Sequence, residues 1–359
     1  MSSKNSQKQR SINIGINYAG TRSALRGCVS DSVRIASLML DLGVDDVVLL
    51  IDHDFDSLQN VTFPEDLANL QKNKDKIKVS LPTRGRVLRE IRKAIRDTSI
   101  SSLFISYAGH GTQGRASRAN TEESDLRDEY ICTLGPSGKL ENTLRSFISD
   151  DELMSQINTA AAHRDARYPL AITFVFDCCH SGTVFDLPHS LVKLQNGMEF
   201  KTEPKNLLKY DHITISGWSG CQDNQLSRED GITATLSQGR CTASFVRAVR
   251  MMLLNSNMTP EGRNQITNFD LHNLIMRILY YIDKTEDSKV DTSNEHQVIN
   301  FSSSRNIGLD TSGEKIITQV FVPGTNLPSY DYDEIVRIAN RTAYPDLTIT
   351  DHNPLNLNL

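Results

Sequence analysis

The sequence predicts an α/β fold, a mostly parallel central sheet flanked by helices, and three stretches predict it. Leu170 to Phe176 is a near-continuous apolar run rich in β-branched and aromatic residues, the signature of a strand buried on both faces. Ser102 to Tyr107 is a second, shorter run of the same kind. Between Ser11 and Ile51 the pattern goes strand, helix, strand, which implies a right-handed parallel crossover.

Taken in order, Ser11 to Tyr18 alternates weakly and reads as the first strand, with Asn17 to Leu25 a turn-rich loop leaving it. Ser30 is expected to N-cap a helix whose buried face is Val33, Ala36, Leu38, Met39, Leu40 and Leu42, ending at Gly43. Val47 to Ile51 is the next strand, and Asp52 to Lys78 reads as a polar surface excursion with a short helical turn. Pro82 and Thr83 start an amphipathic helix that turns Val87, Leu88, Ile91, Ala94 and Ile95 inward and its basic residues outward. That helix feeds the strand Ser102 to Tyr107. Beyond a polar loop, Thr112 to Arg127, lie the short apolar run Tyr130 to Leu134 and a second loop, Gly135 to Arg145. Ser149 then reads as an N-cap and Asp150, Asp151 and Glu152 as the acidic first turn of a helix. Past the central strand, Leu187 to Tyr210 reads as a loop, Ile213 to Ile215 as a strand, Cys241 to Leu254 and Phe269 to Ile282 as helices, and Val298 to Phe301 and Ile316 to Val322 as late strands. The tail from Pro323 to Leu359 has one helical patch and no assigned role.

The bulk properties exclude several classes. A length of 359 residues gives ample chain for a core, and a net charge of -5 gives no electrostatic case for nucleic acid. The outward Arg and Lys of the Pro82 helix lack interleaved aromatics and read as a solvated face. Six cysteines are scattered without C-x-x-C pairs, which suggests neither a zinc ribbon nor a disulfide framework. No run approaches the length needed to cross a bilayer, and the expectation is a soluble cytoplasmic protein with no membrane partner.

The reactive residues stand at strand ends. Asp177, Cys178, Cys179 and His180 follow the central strand, and Ala108, Gly109, His110 and Gly111 follow Ser102 to Tyr107. Ligands bind outside the carboxyl ends of the strands in open α/β sheets, so the two strands deliver a nucleophile and a base to one edge. A buried structural Cys with a solvent-facing His is the bland alternative for either residue alone.

Y-A-G-H-G and D-C-C-H-S-G, in that order, resemble the paired active-site motifs of metacaspases of type I, caspase-fold cysteine peptidases of clan CD. The likeness runs from about Ile12 to about Ser304, through G-I-N-Y-A-G-T, L-R-G-C-V-S-D, S-D-D-E-L and F-S-S-S-R. It implies a caspase-like three-layer sandwich. It also implies a peptidase domain over 11–322 after a short segment 1–10: a p20-like part over about 11–190, a linker over about 187–210 and a p10-like part over about 211–322, with 323–359 an extension.

The chemistry implied is peptide hydrolysis through a thioester. Cys179 is the nucleophile, His110 the base, and the backbone N–H groups of Cys179 and Gly111 are the oxyanion donors. Alternation along the strand end separates Cys179 from Cys178, and His180 is expected to be structural. Asp177 and Asp31 together suit a basic P1 side chain, whereas a P1 aspartate would need a basic pocket that these loops lack. By resemblance Cys28 is a further pocket position, and Ala108 departs from the family's usual Ser. Arg or Lys is therefore the expected P1 residue of protein and peptide substrates.

Asp128, Asp150, Asp151 and Asp186 fall on the positions of the family's activating Ca2+ site. Several carboxylates from different loops suit that ion, although capping and ordinary surface acids explain them equally well by themselves. Lys193, Lys201, Lys205 and Lys209 are candidates for self-cleavage. A monomer is expected from resemblance. Two other readings stand beside the peptidase: a weak or inactive homologue that acts as a binding protein, and a redox or metal protein using Cys178 and Cys179. Adjacent cysteines are poor at either of the latter tasks.

Overall fold

The computed structural model describes residues 8–115, 127–141, 145–178, 187–194, 197–202, 208–220, 229–231, 237–254, 271–279, 297 and 299–304. Within them the N-terminal half alternates strand and helix: β1 (Lys8–Gly15), α1 (Cys28–Asp41), β2 (Asp46–Ile51), α2 (Pro64–Lys72), β3 (Ile77–Ser80), α3 (Arg84–Arg96) and β4 (Ile100–Ala108). A small antiparallel sheet follows, made of β5 (Gly111–Arg115), β6 (Arg127–Cys132) and β7 (Phe147–Ser149), and it runs into α4 (Asp150–Ala161). Then come β8 (Leu170–Asp177), β9 (His189–Leu194), β10 (Gly197–Thr202), β11 (Ile213–Ser219), β12 (Glu229–Gly231), β13 (Ser237–Gly239) and α5 (Arg240–Leu254). A helix over 271–279, α6, and β14 (Asn300–Ser303) complete the described elements.

One sheet holds nine strands in the order β10-β9-β14-β11-β8-β4-β1-β2-β3. The six from β11 to β3 run parallel, and β14, β9 and β10 are joined antiparallel at one side. Helices cover both faces. Residues of α3 and α4 join Ile12, Ile14, Ile105, Phe174 and Phe176 in one core. Residues of α1, α2, α5 and α6 join Leu49, Phe104, Val175, Trp218 and Phe301 in the other. This is the mostly parallel sheet flanked by helices that the apolar runs predict, and the three-layer sandwich that the resemblance implies.

Three local details position the site. β8 alternates, with Phe174, Phe176 and Cys178 in the core under α3 and α4 and Val175 in the opposite core. Gly15 sits where α1 crosses β1, and a Cβ there would run into the Cys28 carbonyl and the Ser32 hydroxyl. On the α1 face, Arg250 of α5 is fully buried and reaches Asp66 of α2 at 3.1 Å and Asp41 of α1 at 3.9 Å. Arg34 stands 3.9 Å from Asp66 and stacks over Phe63 at 4.7 Å.

Several sequence expectations need correction. Ser30 is no cap: Gly27 holds that place, α1 begins at Cys28, and the Asn17 side-chain carbonyl accepts the Val29 N–H at 3.1 Å from outside the helix. Asp52 to Lys78 is more than a surface excursion, because Pro64 starts α2 and Ile77–Ser80 pairs with β2 as a ninth strand. Leu187 to Tyr210 is not a plain loop. Lys193 lies on β9 opposite Met198, and Lys201 lies on β10 opposite Ser190. A strand held in a ladder cannot enter a protease cleft without leaving it, which weakens both as self-cleavage sites. Lys209 is exposed, with its N–H on the Asn158 side chain at 3.0 Å, and Lys205 lies outside the described residues. The expected strand Ile316 to Val322 and the tail 323–359 also lie outside them.

Candidate active site

β1, β4 and β8 are neighbours in the sheet, and Gly15, Ala108 and Asp177 are paired across their carboxyl ends. The loops leaving these three strands therefore start within one or two strand spacings of one another. His110 follows β4 in the turn to β5, half-buried. Its Nε2 lies 2.7 Å from the Ser23 carbonyl in the β1–α1 loop. A carbonyl only accepts, so Nε2 carries the proton and Nδ1 keeps its lone pair in the neutral imidazole. Tyr18 stacks beneath the ring, with centroids 4.8 Å apart.

The loop that supplies Ser23 is tied at both ends. The Asn17 carbonyl accepts the Leu25 N–H at 2.8 Å, the Asn17 amide donates to the Arg26 carbonyl at 3.2 Å, and the Thr21 hydroxyl closes on the Tyr18 carbonyl at 2.8 Å. The Asp52 carboxylate, at the end of β2, accepts the Asn17 N–H at 2.9 Å. Against the upward push of partial burial, the His53 side chain and the N–H groups of Asn17 and Tyr18 hold its pKa below the usual carboxylate value.

Asp31 and Asp177 converge. Asp31, in the first turn of α1, accepts the Gly239 N–H at 2.9 and 3.1 Å. Asp177, at the end of β8, accepts the Thr242 N–H at 2.8 Å in the first turn of α5. Gly239 stands between them: a Cβ there would strike the Asp177 carboxylate and lie 3.0 Å from an Asp31 oxygen. Both carboxylates are buried, at 3% and 7% exposure, at the amino end of α5, where the helix dipole favours negative charge. Cys28 opens α1 with a buried thiol that forms no disulfide, and Ala108 is buried at the end of β4.

Gly111 begins β5 and pairs with Ile131. Cys178 is buried in the core under α3 and α4, 2% exposed. Cys179 itself lies outside the described residues, as do His180 and Asp186.

The acidic positions are partly described. Ser149 caps α4 as expected, accepting the Glu152 N–H at 3.1 Å. Asp150 is buried, and its carboxylate accepts the N–H groups of Asp151 at 2.7 Å and Glu129 at 3.4 Å. Asp151 is exposed. Asp128 lies on β6 opposite Gly114, its side chain outside the described residues. Among the described residues no three ligand-type side chains are grouped to hold a metal.

Sequence reasoning missed Ser23, Tyr18, Tyr107 and Asp52. A backbone carbonyl leaves no mark on residue type, and Asn17-Tyr18 stood in a quoted motif without a role.

A family model described as metacaspase, peptidase C14 domain, matches residues 9–188. Metacaspase-2 of Trypanosoma brucei brucei (strain 927/4 GUTat10.1) is 27% identical over 274 residues, 74% of this chain and 69% of that protein. Metacaspase-3 of Arabidopsis thaliana is 28% identical over 252 residues, 68% of this chain and 60% of its own length. Among solved structures, caspase-1 from Spodoptera frugiperda aligns with a TM-score of 0.41 and 10% identity, over 83% of this chain and 88% of that one.

Proposed function

The chain belongs to the metacaspase family of cysteine peptidases, and we propose from that premise that it is an endopeptidase cutting after Arg or Lys, with Cys179 as nucleophile and His110 as base. The observation that carries the specificity is the convergence of Asp31 and Asp177 on Gly239. Two buried carboxylates side by side repel, and a cationic P1 side chain between them offsets that repulsion while a P1 aspartate would add to it.

The Ser23 carbonyl gives His110 its role. With Nε2–H held there, Nδ1 takes the proton of the Cys179 thiol as Sγ bonds to the scissile carbonyl carbon. The N–H groups of Gly111 and Cys179 receive the oxyanion. As the C–N bond breaks, the proton passes from Nδ1 to the leaving amine, leaving the acyl group on sulfur as a thioester. His110 then takes a proton from water, whose oxygen displaces the sulfur and releases the carboxylate product.

Calcium dependence belongs to the same reading, with Asp128, Asp150, Asp151 and Asp186 as ligands. Bound calcium would supply the positive charge that allows these carboxylates to crowd at the corner between β6 and α4. Self-processing near Lys205 or Lys209 and action as a cytoplasmic monomer complete the proposal.

The deciding experiment follows hydrolysis of matched fluorogenic peptides with P1 Arg, Lys or Asp, with calcium and with chelator, for the wild type, Cys179→Ala and Asp177→Asn. Arg and Lys turnover that needs calcium, disappears in Cys179→Ala and loses its P1 preference in Asp177→Asn is the expected result. Equal turnover of Arg and Asp peptides by the wild type would refute the specificity.

A further inference from the structure

Two buried phenols lie beneath the His110 turn. In the β5–β6 ladder Gly111 pairs with Ile131, which sets His110 opposite Cys132, and a hydrogen-bonded antiparallel pair there would exchange two backbone bonds. Only one is direct, Cys132 N–H to the His110 carbonyl at 3.0 Å. In place of the other stands the Tyr18 hydroxyl, which accepts the His110 N–H at 2.9 Å and donates to the Cys132 carbonyl at 2.6 Å. The Tyr107 hydroxyl backs it. It donates to the His110 carbonyl at 2.7 Å, accepts from the Cys132 N–H at 3.1 Å and lies 3.1 Å from the Tyr18 oxygen.

The protons balance. Tyr18 gives its one proton to the Cys132 carbonyl and receives the His110 N–H; Tyr107 gives its own chiefly to the His110 carbonyl, with the Cys132 carbonyl 3.1 Å away, and shares the Cys132 N–H with the His110 carbonyl. Burial pushes both phenols well above their ordinary pKa, so neither proton is lost near neutrality. Both the N–H and the C=O of His110 thus end on tyrosine oxygens.

Two independent features mark this as a built arrangement. A Cβ on Gly109 would lie 2.5 Å from the Tyr107 oxygen and 2.8 Å from that of Tyr18, so the residue before the histidine has no room for a side chain. Tyr18 itself has φ +50°, alone among the described non-glycine residues in being positive, a conformation that needs outside support. Asp52 gives that support by accepting the backbone N–H groups of Asn17 and Tyr18.

We propose that the Tyr18 hydroxyl, inserted in the His110–Cys132 rung and seconded by Tyr107, is the positioning group for the His110 base. It sets the height and tilt of the imidazole over the strand ends. The proposal rests on the reading of His110 as the base. Removing the hydroxyl leaves the rung either to close directly, dragging the His110 backbone toward β6, or to take in water. An ångström of misplacement in a proton-transfer partner is enough to cost about a hundredfold in rate.

The test compares Tyr18→Phe and Tyr107→Phe, alone and combined with His110→Ala, by peptide turnover and by the iodoacetamide alkylation rate of the Cys179 peptide followed by mass spectrometry. Tyr18→Phe should lower kcat by about tenfold to a hundredfold with KM within about twofold, and should slow Cys179 alkylation. In the His110→Ala background the same substitution should leave alkylation unchanged. Tyr107→Phe, which opens the second set of bonds, should repeat the pattern and serves if Tyr18→Phe folds poorly. Wild-type kcat in both phenylalanine variants, or an equal slowing of alkylation with and without His110, overturns the proposal while leaving the peptidase reading intact. Full activity of His110→Ala overturns both.

Discussion

Arg164 carries no chemistry, yet its replacement is the most informative stability test of this fold. The side chain is 4% exposed, and each of its guanidinium N–H groups meets a different backbone carbonyl: Tyr168 from Nε at 2.7 Å, Ile95 and Asp97 from Nη1 at 2.8 Å, and Ile100 and Pro169 from Nη2 at 2.5 and 3.4 Å. These carbonyls belong to the end of α3 and the starts of β4 and β8, the two strands whose far ends present His110 and Asp177. Lysine has three donors where arginine has five, so Arg164→Lys strands at least two carbonyls in a dry site. At about 1–3 kcal/mol for each unmet group, the loss is about 4 kcal/mol. At roughly 2 °C per kcal/mol for a chain of this size, the melting temperature should drop by roughly 8 °C. Urea unfolding of wild type, Arg164→Lys and Arg164→Met should show a lower midpoint at unchanged slope for both variants. A loss under about 1 kcal/mol for Arg164→Lys would mean that hydrogen-bond count is not what makes arginine necessary here.

His272 is fully buried on α6, its ring nitrogens meet no hydrogen-bond partner among the described residues, and burial lowers its pKa to about 4. The unfolded chain binds that proton at about 6.5, so the stability it permits is whole above that pH and is lost as pH falls toward 4, by about 3 kcal/mol. Unfolding midpoints measured from pH 7 to 4 should show the slope, and His272→Leu should flatten it. Gly239→Ala drives a methyl into the Asp177 carboxylate and should raise KM for Arg peptides at least tenfold, whereas an unchanged KM would place the substrate elsewhere. Asp66→Ala removes the 3.1 Å acceptor of the buried Arg250 and should cost about 3 kcal/mol, read by the same denaturant curves.

What the sequence made legible follows from how each signal arises. Buried parallel strands declare themselves by composition, so Leu170 to Phe176 and Ser102 to Tyr107 came out within a residue or two of β8 and the core of β4. Ile77–Ser80 escaped because two of its four residues are exposed at the edge of the sheet, and a charged edge strand reads like a loop. β9 and β10 escaped because the lysine in each breaks its apolar pattern. Asp31 and Asp177 could be paired as chemistry, but their meeting at Gly239 joins positions some two hundred residues apart, which no local pattern encodes. Tyr18 acts through one oxygen and Ser23 through its backbone, and Arg164 resembles any surface arginine in sequence.

The order of strands has a consequence for a cut chain. Were the backbone severed between 203 and 207, the first fragment would keep β9 and β10 on one side and β8 through β3 on the other, and the second would supply β11 and β14 between them. The late fragment would be wedged into the early one, zipped along β8 on its one flank and β9 on its other. Neither fragment could depart without unfastening two ladders at once. A nicked molecule should therefore travel as one particle on a sizing column and come apart only in denaturant.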